Sequence, residues 1–280
     1  MLIQGRAVTE AIYKSIRSQR QADGLASTPK IAIIQVGNHA ASNLYIRNKI
    51  QACKNLNFSV NHLRIDSEVP AKTLTGHILR LNQDPSVHGI LLQLPLPPHL
   101  NPLEFLGQID PTKDVDGITP HNMGLLAKGN AHIIPCTAMA ICKILDHAQY
   151  DITGKHAVIV GASNIVGKPT SLAFLARKAT VTVCHSATVN LANHVQAADL
   201  LVVAIGNPNV IQTSWLHKDQ VVIDVGINYD QNNQLIGDIN TLKAADIVNM
   251  ITPVPGGVGP CTVACVALNL YQLFINQETR

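Results

Sequence analysis

Two polar side chains four residues apart are the first candidates for chemistry. Tyr45 and Lys49 lie in the segment SNLYIRNKIQACKNL (42–56), whose apolar spacing predicts a helix with Ser42 as its N-cap. Residues four apart share one face of a helix, so the phenol and the amine can reach the same ligand. In dehydrogenases that use a tyrosine as proton donor and a lysine four residues later to tune it, the pair follows the glycine loop. Here the pair precedes such a loop by over a hundred residues, so that assignment fails. The alternative is an ordinary helix face on which the lysine stem covers apolar neighbours.

Two further stretches place polar groups beside predicted turns. Gln93 opens QLPLPPHL (93–100) at the end of a predicted buried strand, which is the edge at which parallel sheets bind ligands. Its amide would face that edge, and the prolines would hold the loop rigid. In KDVDGI (113–118), Asp114 or Asp116 could accept two hydrogen bonds from a heterocycle with adjacent N–H donors. The alternative for QLPLPPHL is a polyproline connection, and the alternative for KDVDGI is a simple turn.

The stretch VIVGASNIVGKP (158–169) could bind a phosphate or a dinucleotide. A P-loop has four residues between its glycines and a hydroxyl residue after its lysine. Here five residues separate Gly161 from Gly167, and Pro169 replaces the hydroxyl residue, so a P-loop is disfavoured. A dinucleotide loop fits better, because Gly161 ends a strand and permits a tight turn, while Gly167 opens a helix that can pack close to the sheet. The alternative is the same glycine turn without a cofactor.

The end of the next predicted strand bears on which dinucleotide binds. NAD-binding domains of this class usually carry an acid there, which holds the ribose 2′-hydroxyl. No Asp or Glu occurs between Gly161 and Ala198, and the strand ends instead in Cys184-His185-Ser186. Because no carboxylate is present to repel a 2′-phosphate, the sequence favours NADP over NAD.

Short apolar strands alternate with helical patterns through both halves of the chain. This alternation predicts an α/β fold with parallel sheets covered by helices. The first half has predicted strands at 30–37, 60–65 and 87–95 and predicted helices at 42–56 and 70–82. The second half predicts a doubly wound dinucleotide-type domain from four β-branched strands, HAVIVG, VTVCHS, DLLVVAIG and QVVIDVGI. The stretch ITPVPGGVGP (251–260) is predicted to be irregular and to precede a closing helix.

Charge, cysteine content and hydropathy disfavour several classes of protein. The 280 residues carry a formal net charge of +3 without a basic run, which disfavours binding to nucleic acid or to an anionic membrane. The six cysteines include no C-x-x-C pair, so we expect free buried thiols and no metal. The N-terminal segment predicts an amphipathic helix with Val8, Ile12 and Ile16 on one face, not a secretory signal. No apolar run is expected to span a membrane, and the cytoplasm is the expected compartment.

Taken together and in this order, these motifs resemble one known family. The chain resembles the bifunctional methylenetetrahydrofolate dehydrogenase/cyclohydrolases in Y-I-R-N-K, Q-L-P-L-P, K-D-V-D-G, P-C-T, G-A-S-N-I-V-G-K-P, D-V-G-I-N and T-P-V-P-G-G-V-G-P, from Tyr45 to Val263. The resemblance implies that NADP⁺ takes a hydride from 5,10-methylenetetrahydrofolate, and that water converts the methenyl product to 10-formyltetrahydrofolate. These reactions belong to one-carbon metabolism and supply purine biosynthesis.

The resemblance also implies roles for individual residues. Lys49 would be the general acid/base of the hydrolysis, Tyr45 would stack on the folate and orient Lys49, and Gln93 would hydrogen-bond near Lys49. Asp116 would accept hydrogen bonds from the amino edge of the pterin and completes the implied catalytic set. The folate would further contact Leu94, Gly256, Gly257 and Pro260. The implied dinucleotide site consists of Gly161, Ala162, Ser163, Ile165, Val166, Gly167, Ser186 and Ile227.

The implied architecture is two α/β domains with a cleft between them. An N-terminal catalytic domain (1–118) precedes a Rossmann-like, doubly wound parallel-sheet NADP domain (119–261), and the closing helix (262–280) returns to the first domain. Members of the family are usually homodimers, so the resemblance implies a homodimer here. Two positions depart from the pattern, because relatives hold the 2′-phosphate with an arginine where this chain has Ala162 or Ser186. Use of NAD therefore stays open.

Two other functions are compatible with this fold. One is a folate dehydrogenase without cyclohydrolase activity, against which the intact set Tyr45, Lys49 and Gln93 argues. The other is a non-catalytic folate- or nucleotide-binding protein, which would be expected to have lost Lys49 or Asp116. Both residues are present.

Overall fold

The computed structural model describes residues 1–208 and 210–279, apart from the side chains of residues 40 and 41. The described chain divides into two compact units by its internal contacts. The first, which we call the three-stranded unit, contains Ala11–Cys136 and the chain from Val263 onward. The second, which we call the five-stranded unit, contains Met1–Glu10 and Thr137–Thr262.

Strands and helices alternate along most of the chain. The strands are β1 (Lys30–Val36), β2 (Ser59–Ile65), β3 (Gly89–Leu92), β4 (His156–Val160), β5 (Thr180–Cys184), β6 (Leu200–Val203), β7 (Val221–Asp224), β8 (Asn228–Tyr229), β9 (Leu235–Ile236) and β10 (Met250–Ile251). The helices are α1 (Gly5–Asp23), α2 (Ala40–Asn55), α3 (Ala71–Gln83), α4 (Pro102–Leu106), α5 (Pro120–Ala127), α6 (Cys136–His147), α7 (Gly167–Ala176), α8 (Leu191–Gln196), α9 (Thr241–Ala245) and α10 (Val258–Glu278). A short 3₁₀ helix covers Thr213–Trp215.

The three-stranded unit is built on a parallel sheet with the order β2-β1-β3. The central strand β1 is a continuous apolar run that is buried on both faces, as parallel strands under helices are. Helix α3 covers one face with Leu74, Ile78 and Leu81, which recur at helical spacing and are buried in the core. The loops after β1 and β3 leave the same edge of the sheet, because parallel strands end together.

The five-stranded unit has an all-parallel sheet with the order β10-β7-β6-β4-β5. The chain enters at β4, moves outward to β5, and then returns past β4 to β6. The strand order therefore reverses beside the carboxyl end of β4, where doubly wound sheets bind their ligands. Strands β8 and β9 form a separate antiparallel pair.

The N-terminal residues extend the five-stranded sheet. The N–H of Ile3 donates to the carbonyl of Ile251 at 2.8 Å, and Leu2 forms a parallel bridge with the same residue. Two residues later the N–H of Gly5 donates to the carbonyl of Gly256 at 2.8 Å. This pairing ties the loop after β10 to the start of the chain, and the local sequence pattern did not reveal it.

Most predicted elements are confirmed, with several corrections. Ser42 does not cap α2, because the helix begins at Ala40 and Ser42 is buried within it. The strand predicted at 87–95 is only Gly89–Leu92, since the chain leaves the sheet before its prolines. Residues 258–260, predicted to be irregular, already belong to α10. The internal contacts divide the described chain after Cys136, and the boundary between the two domains at residue 118 stays a prediction.

Two expectations concerned cysteines and membrane spans. All six cysteines are free and buried, as predicted. The expectation that no apolar run could span a membrane is wrong, because α10 is long and apolar enough to do so by length and composition alone. Its most apolar stretch has a mean hydropathy of 1.6. Since 67% of that stretch is buried inside the protein, we interpret α10 as a core helix.

The close approach of Gly5 to the loop after β10 predicts a strong size limit at that position. A Cβ added at Gly5 would lie 1.9 Å from the carbonyl oxygen of Gly257, so Gly5→Ala must displace backbone. We expect a loss of about 1–3 kcal/mol in the free energy of unfolding, measured by urea titration. The matched control is Gly76→Ala in α3, where a Cβ meets nothing within 4 Å. That variant should gain up to ~1 kcal/mol, and equal stability of both variants would contradict the account.

Candidate active site

Helix α2 presents Lys49 toward the residue that follows β3. Lys49 is 7% exposed, and its Nζ donates a hydrogen bond to Oε1 of Gln93 at 3.2 Å. Tyr45, one helical turn earlier, is half-buried. Among the described residues, no carboxylate lies within 4 Å of the Lys49 amine. The predicted pair of Lys49 and Gln93 is therefore a direct contact, in which a buried amine meets a neutral amide.

The chain fixes which end of the Gln93 amide faces the lysine. The Gln93 backbone N–H donates to Ile34 at 2.9 Å and so continues the ladder of the sheet. Its side-chain Nε2 donates to the carbonyl of Leu94 at 2.7 Å. Because the amide nitrogen is engaged by Leu94, the oxygen is the end that meets Lys49. Leu94 thereby orients the pair through its carbonyl.

The two candidate aspartates have different surroundings. Asp114 is buried, and its carboxylate accepts hydrogen bonds from the N–H groups of Gly117 and Thr119 and from Nδ2 of Asn122 at 2.8–2.9 Å. Burial raises the pKa of this carboxyl, and its hydrogen bonds counteract the rise in part. Asp116 is half-buried. Asp114 therefore holds the loop internally, which leaves Asp116 as the carboxylate for a ligand.

The charges of both Asp116 and Lys49 act on one buried thiol, that of Cys136. Burial raises the pKa of Cys136 well above its ordinary value, and the charge of Asp116 raises it further. The charge of Lys49 acts on the same thiol in the opposite direction. In the three-stranded unit, Lys49 and Gln93 are thus in direct contact, Tyr45 lies one turn from Lys49 on α2, and Asp116 lies beside Cys136, whose N–H donates to its carbonyl at 3.3 Å.

In the five-stranded unit, two glycines bring the end of β4 and the start of α7 together. Gly161 has a φ of +123°, and a Cβ there would lie 2.3 Å from the carbonyl oxygen of Ala204. A Cβ at Gly167 would lie 1.8 Å from the carbonyl oxygen of Gly161. Both roles predicted for these glycines, the tight turn and the close packing of the helix, are confirmed.

The turn between these glycines is closed by Ser163. Its Oγ accepts hydrogen bonds from the N–H groups of Val166 at 3.1 Å and Gly167 at 3.4 Å. Ile165, at the tip of the turn, is 43% exposed, and Ala162 is half-buried. The hydroxyl therefore compacts the loop from within and holds the start of α7 against the turn.

The residues after β5 form a second tight turn next to this loop. The N–H of Gly161 donates to the carbonyl of Cys184 at 2.9 Å, which places the two strand ends side by side. His185 donates its N–H to Oγ1 of Thr188 at 2.8 Å, and its Nδ1 accepts from the N–H of Ala187 at 3.2 Å. His185 and Ser186 are exposed. A ribose 2′-substituent would meet hydroxyl and imidazole groups here rather than a carboxylate.

Two buried aspartates to which the sequence motifs assigned no role, Asp224 of D-V-G-I-N and Asp238, organise the next loops. The Asp224 carboxylate accepts from the N–H groups of Gly226, Asp238 and Ile239 at 2.9–3.0 Å. The Asp238 carboxylate accepts from the three consecutive N–H groups of 205–207 at 2.7–3.1 Å. Ile227, a predicted cofactor contact, is 42% exposed on the loop that these bonds hold. The sequence did contain a signal for these two acids, since Asp-x-Gly begins at the last residue of β7 and Gly-Asp lies shortly before α9.

The remaining predicted folate contacts lie in the loop after β10 and at the start of α10. Gly256 has a φ of +104°, and a Cβ at Gly257 would lie 2.5 Å from the carbonyl oxygen of Pro253. Pro260 is exposed in the first turn of α10. Gly256 and Gly257 are therefore required by backbone geometry, whatever ligand they meet. Among the described residues, no group of three or more His, Cys, Asp or Glu is placed to hold a metal ion.

Comparison with known families accounts for nearly the whole chain. The family model described as tetrahydrofolate dehydrogenase/cyclohydrolase, catalytic domain, matches residues 3–116. The model for the NAD(P)-binding domain of the same family matches residues 135–278. The chain belongs to the tetrahydrofolate dehydrogenase/cyclohydrolase family. Its five-stranded sheet is accordingly that of an NAD(P)-binding domain, and the fold predicted from the sequence is confirmed.

Individual relatives are similar over their full length. The "Bifunctional protein FolD 2" of Geobacter sulfurreducens is 42% identical over 269 residues, which covers 96% of this chain and 94% of that protein. The crystal structure of the bifunctional enzyme FolD from Campylobacter jejuni has a TM-score of 0.94 at 36% identity and covers 99% of each chain. The Trypanosoma brucei enzyme, complexed with NADP cofactor and inhibitor, has a TM-score of 0.94 at 34% identity over 100% of this chain and 99% of that one.

The burial of Asp224 predicts a pH dependence of stability. Burial raises the pKa of Asp224 from 3.8 to about 6, since three N–H donors offset only part of the desolvation. A carboxyl whose pKa is higher in the folded state stabilises the fold below its unfolded pKa, and this contribution is lost as the pH rises through about 6. Between pH 4 and 7 we expect the wild type to lose on the order of 2 kcal/mol relative to Asp224→Asn.

Urea unfolding of both proteins across that range measures this difference. The variant also loses an acceptor, but that loss does not titrate, so only the change of the difference with pH is diagnostic. A difference that stays constant from pH 4 to 7 would show that Asp224 titrates normally in the folded protein.

Proposed function

We propose that this chain oxidises 5,10-methylenetetrahydrofolate with NADP⁺ and hydrolyses the methenyl product to 10-formyltetrahydrofolate. The buried contact between Lys49 and Gln93, in a chain that matches both domains of the family, carries this proposal. The nicotinamide supplies the hydride acceptor when bound, and the residues of the three-stranded unit bind the folate and handle the protons of the hydrolysis.

Lys49 is proposed as the general acid/base. Its amine is buried, is held by a neutral amide oxygen, and is free of carboxylate partners in the described part of the chain. An amine so placed can exchange a proton with water that attacks the methenyl carbon. Gln93 holds the amine in position, and Tyr45, one turn away on the same face of α2, supplies a ring for stacking on the substrate. Asp116 offers two acceptor oxygens to the amino edge of the pterin.

The proposed preference for NADP rests on the turn after β5. The Rossmann position that carries an acid in NAD enzymes is occupied by exposed His185 and Ser186, and both can donate hydrogen bonds. The arginine of many relatives is absent at Ala162 and Ser186. We therefore expect NADP to be preferred, with NAD still usable. Homodimer formation and a cytoplasmic location remain predictions of the sequence analysis.

Replacement of Lys49 should separate the two activities. Lys49→Met keeps the length of the side chain and removes the proton-transferring amine, so hydrolysis should fall about 10²–10⁴-fold. The dehydrogenase rate should fall far less, because hydride transfer needs no proton from this amine. The matched control is Lys54→Met, an exposed lysine later on α2. Equal losses in both reactions would show that Lys49 only binds substrate.

A carboxylate placed after β5 should change the choice of dinucleotide. Ser186→Asp puts a negative charge where the 2′-phosphate is proposed to bind, so the KM for NADP⁺ should rise at least about tenfold, and the KM for NAD⁺ should not. Ala187→Asp, the next exposed position of the same turn, controls for the added charge alone. If Ser186→Asp leaves the KM for NADP⁺ unchanged, the 2′-phosphate is held elsewhere.

A further inference from the structure

Helix α10 carries one fully buried amide. Asn269 is 1% exposed and lies among apolar residues of the helix, including Ala267, Leu270 and Leu273. Burial of an amide costs several kcal/mol unless its polar atoms find partners. A polar side chain at this position is therefore unfavourable unless it is hydrogen-bonded. The partners of the amide indicate its role.

Asn269 joins two segments that are remote from it in sequence. Its Nδ2 donates to the carbonyl of Val115 at 2.9 Å and to the carbonyl of Ile134 at 3.0 Å. These two bonds use both hydrogens of the amide nitrogen. The Sγ of Cys136 also lies 3.4 Å from Nδ2 and itself donates to the carbonyl of Val115 at 3.3 Å. All of these groups belong to the three-stranded unit.

The two carbonyls held by Asn269 flank Asp116. Val115 immediately precedes Asp116, and Ile134 packs against Gly117, where an added Cβ would lie 3.1 Å from the Ile134 carbonyl carbon. The carbonyl of Asp116 itself accepts the N–H of Cys136 at 3.3 Å. The backbone of Asp116 is thus held on both sides by a clamp whose centre is the Asn269 amide.

We propose that Asn269 is a positioning residue of the folate site, which acts by holding Asp116 in the orientation that binds the pterin. The inference rests on the proposed role of Asp116. Asp114 fixes the turn that follows through hydrogen bonds that do not involve Asn269. What Asn269 adds is the exact direction of the peptide that carries the Asp116 side chain. Loss of the amide should therefore weaken folate binding before it affects hydride transfer.

A double-mutant cycle between Asn269 and Asp116 tests this coupling. Asn269→Ala should raise the KM for 5,10-methylenetetrahydrofolate about tenfold, with kcat and the KM for NADP⁺ within about twofold of the wild type. Asp116→Asn should raise the folate KM more. The double variant should match Asp116→Asn within about twofold, because the clamp has nothing left to position. The matched control is Asn276→Ala on the same helix, which should leave every constant unchanged. Its amide oxygen accepts from Gln272 at 3.0 Å and from no other residue in the described part of the chain.

The possible results of this cycle distinguish a failure of the positioning role of Asn269 from a failure of the proposed function. Additive effects of Asn269→Ala and Asp116→Asn would overturn the positioning role. A folate KM that Asp116→Asn leaves unchanged would overturn the role of Asp116, and with it the proposed function of this loop. If Asn269→Ala does not fold, Asn269→Ser keeps one donor and most of the packing, and the same cycle is measured with it. Thermal unfolding of each variant confirms that the kinetics refer to folded protein.

Discussion

The geometry of both candidate sites depends on carboxylates buried without a cation. Asp114 in one unit, and Asp224 and Asp238 in the other, are at most 1% exposed, and each accepts hydrogen bonds from backbone N–H groups of the loops that leave the strand ends. In the described part of the chain, the two ion pairs involve none of them. Burial of a charge is costly unless donors surround it, so each carboxylate requires one conformation of its loop. Loops that would otherwise be mobile thus become rigid supports for ligand-binding groups.

The burial of these carboxylates also requires glycine at the backbone positions that surround them. A Cβ at Gly226 would lie 2.2 Å from the carboxyl carbon of Asp238, and one at Gly237 would lie 2.0 Å from Oδ2 of Asp224. The backbone can wrap these carboxylates only where no side chain intervenes. Together with Gly161 and Gly167, these positions explain why glycines cluster at the carboxyl ends of the strands. Their role is close approach to the buried acids and to neighbouring backbone carbonyls.

The spacing of apolar residues predicted those strands and helix faces whose formation depends mainly on neighbouring residues in the sequence. The alternation of apolar runs predicted both parallel sheets, and the spacing of Leu74, Ile78 and Leu81 predicted the buried face of α3. The spacing of Tyr45 and Lys49 placed them on one helix face, and the end of a strand pointed to Gln93. The pairing of Gln93 with Lys49 came from the family resemblance, because 44 residues separate them. Asp114 and Asp116 could not be told apart by spacing, since only burial separates them. The pairing of Gly5 with Gly256 and the clamp of Asn269 join residues remote in sequence, so no local signal predicted them.

The central claim is that one chain carries out hydride transfer and hydrolysis on a folate. The most direct measurement mixes the purified protein with 5,10-methylenetetrahydrofolate and either NADP⁺ or NAD⁺, and follows both the reduced nicotinamide and 10-formyltetrahydrofolate. The account predicts reduction that is faster with NADP⁺, accompanied by formation of 10-formyltetrahydrofolate above the uncatalysed rate. Absence of reduction with either dinucleotide would contradict it, and reduction without accelerated hydrolysis would leave a dehydrogenase alone.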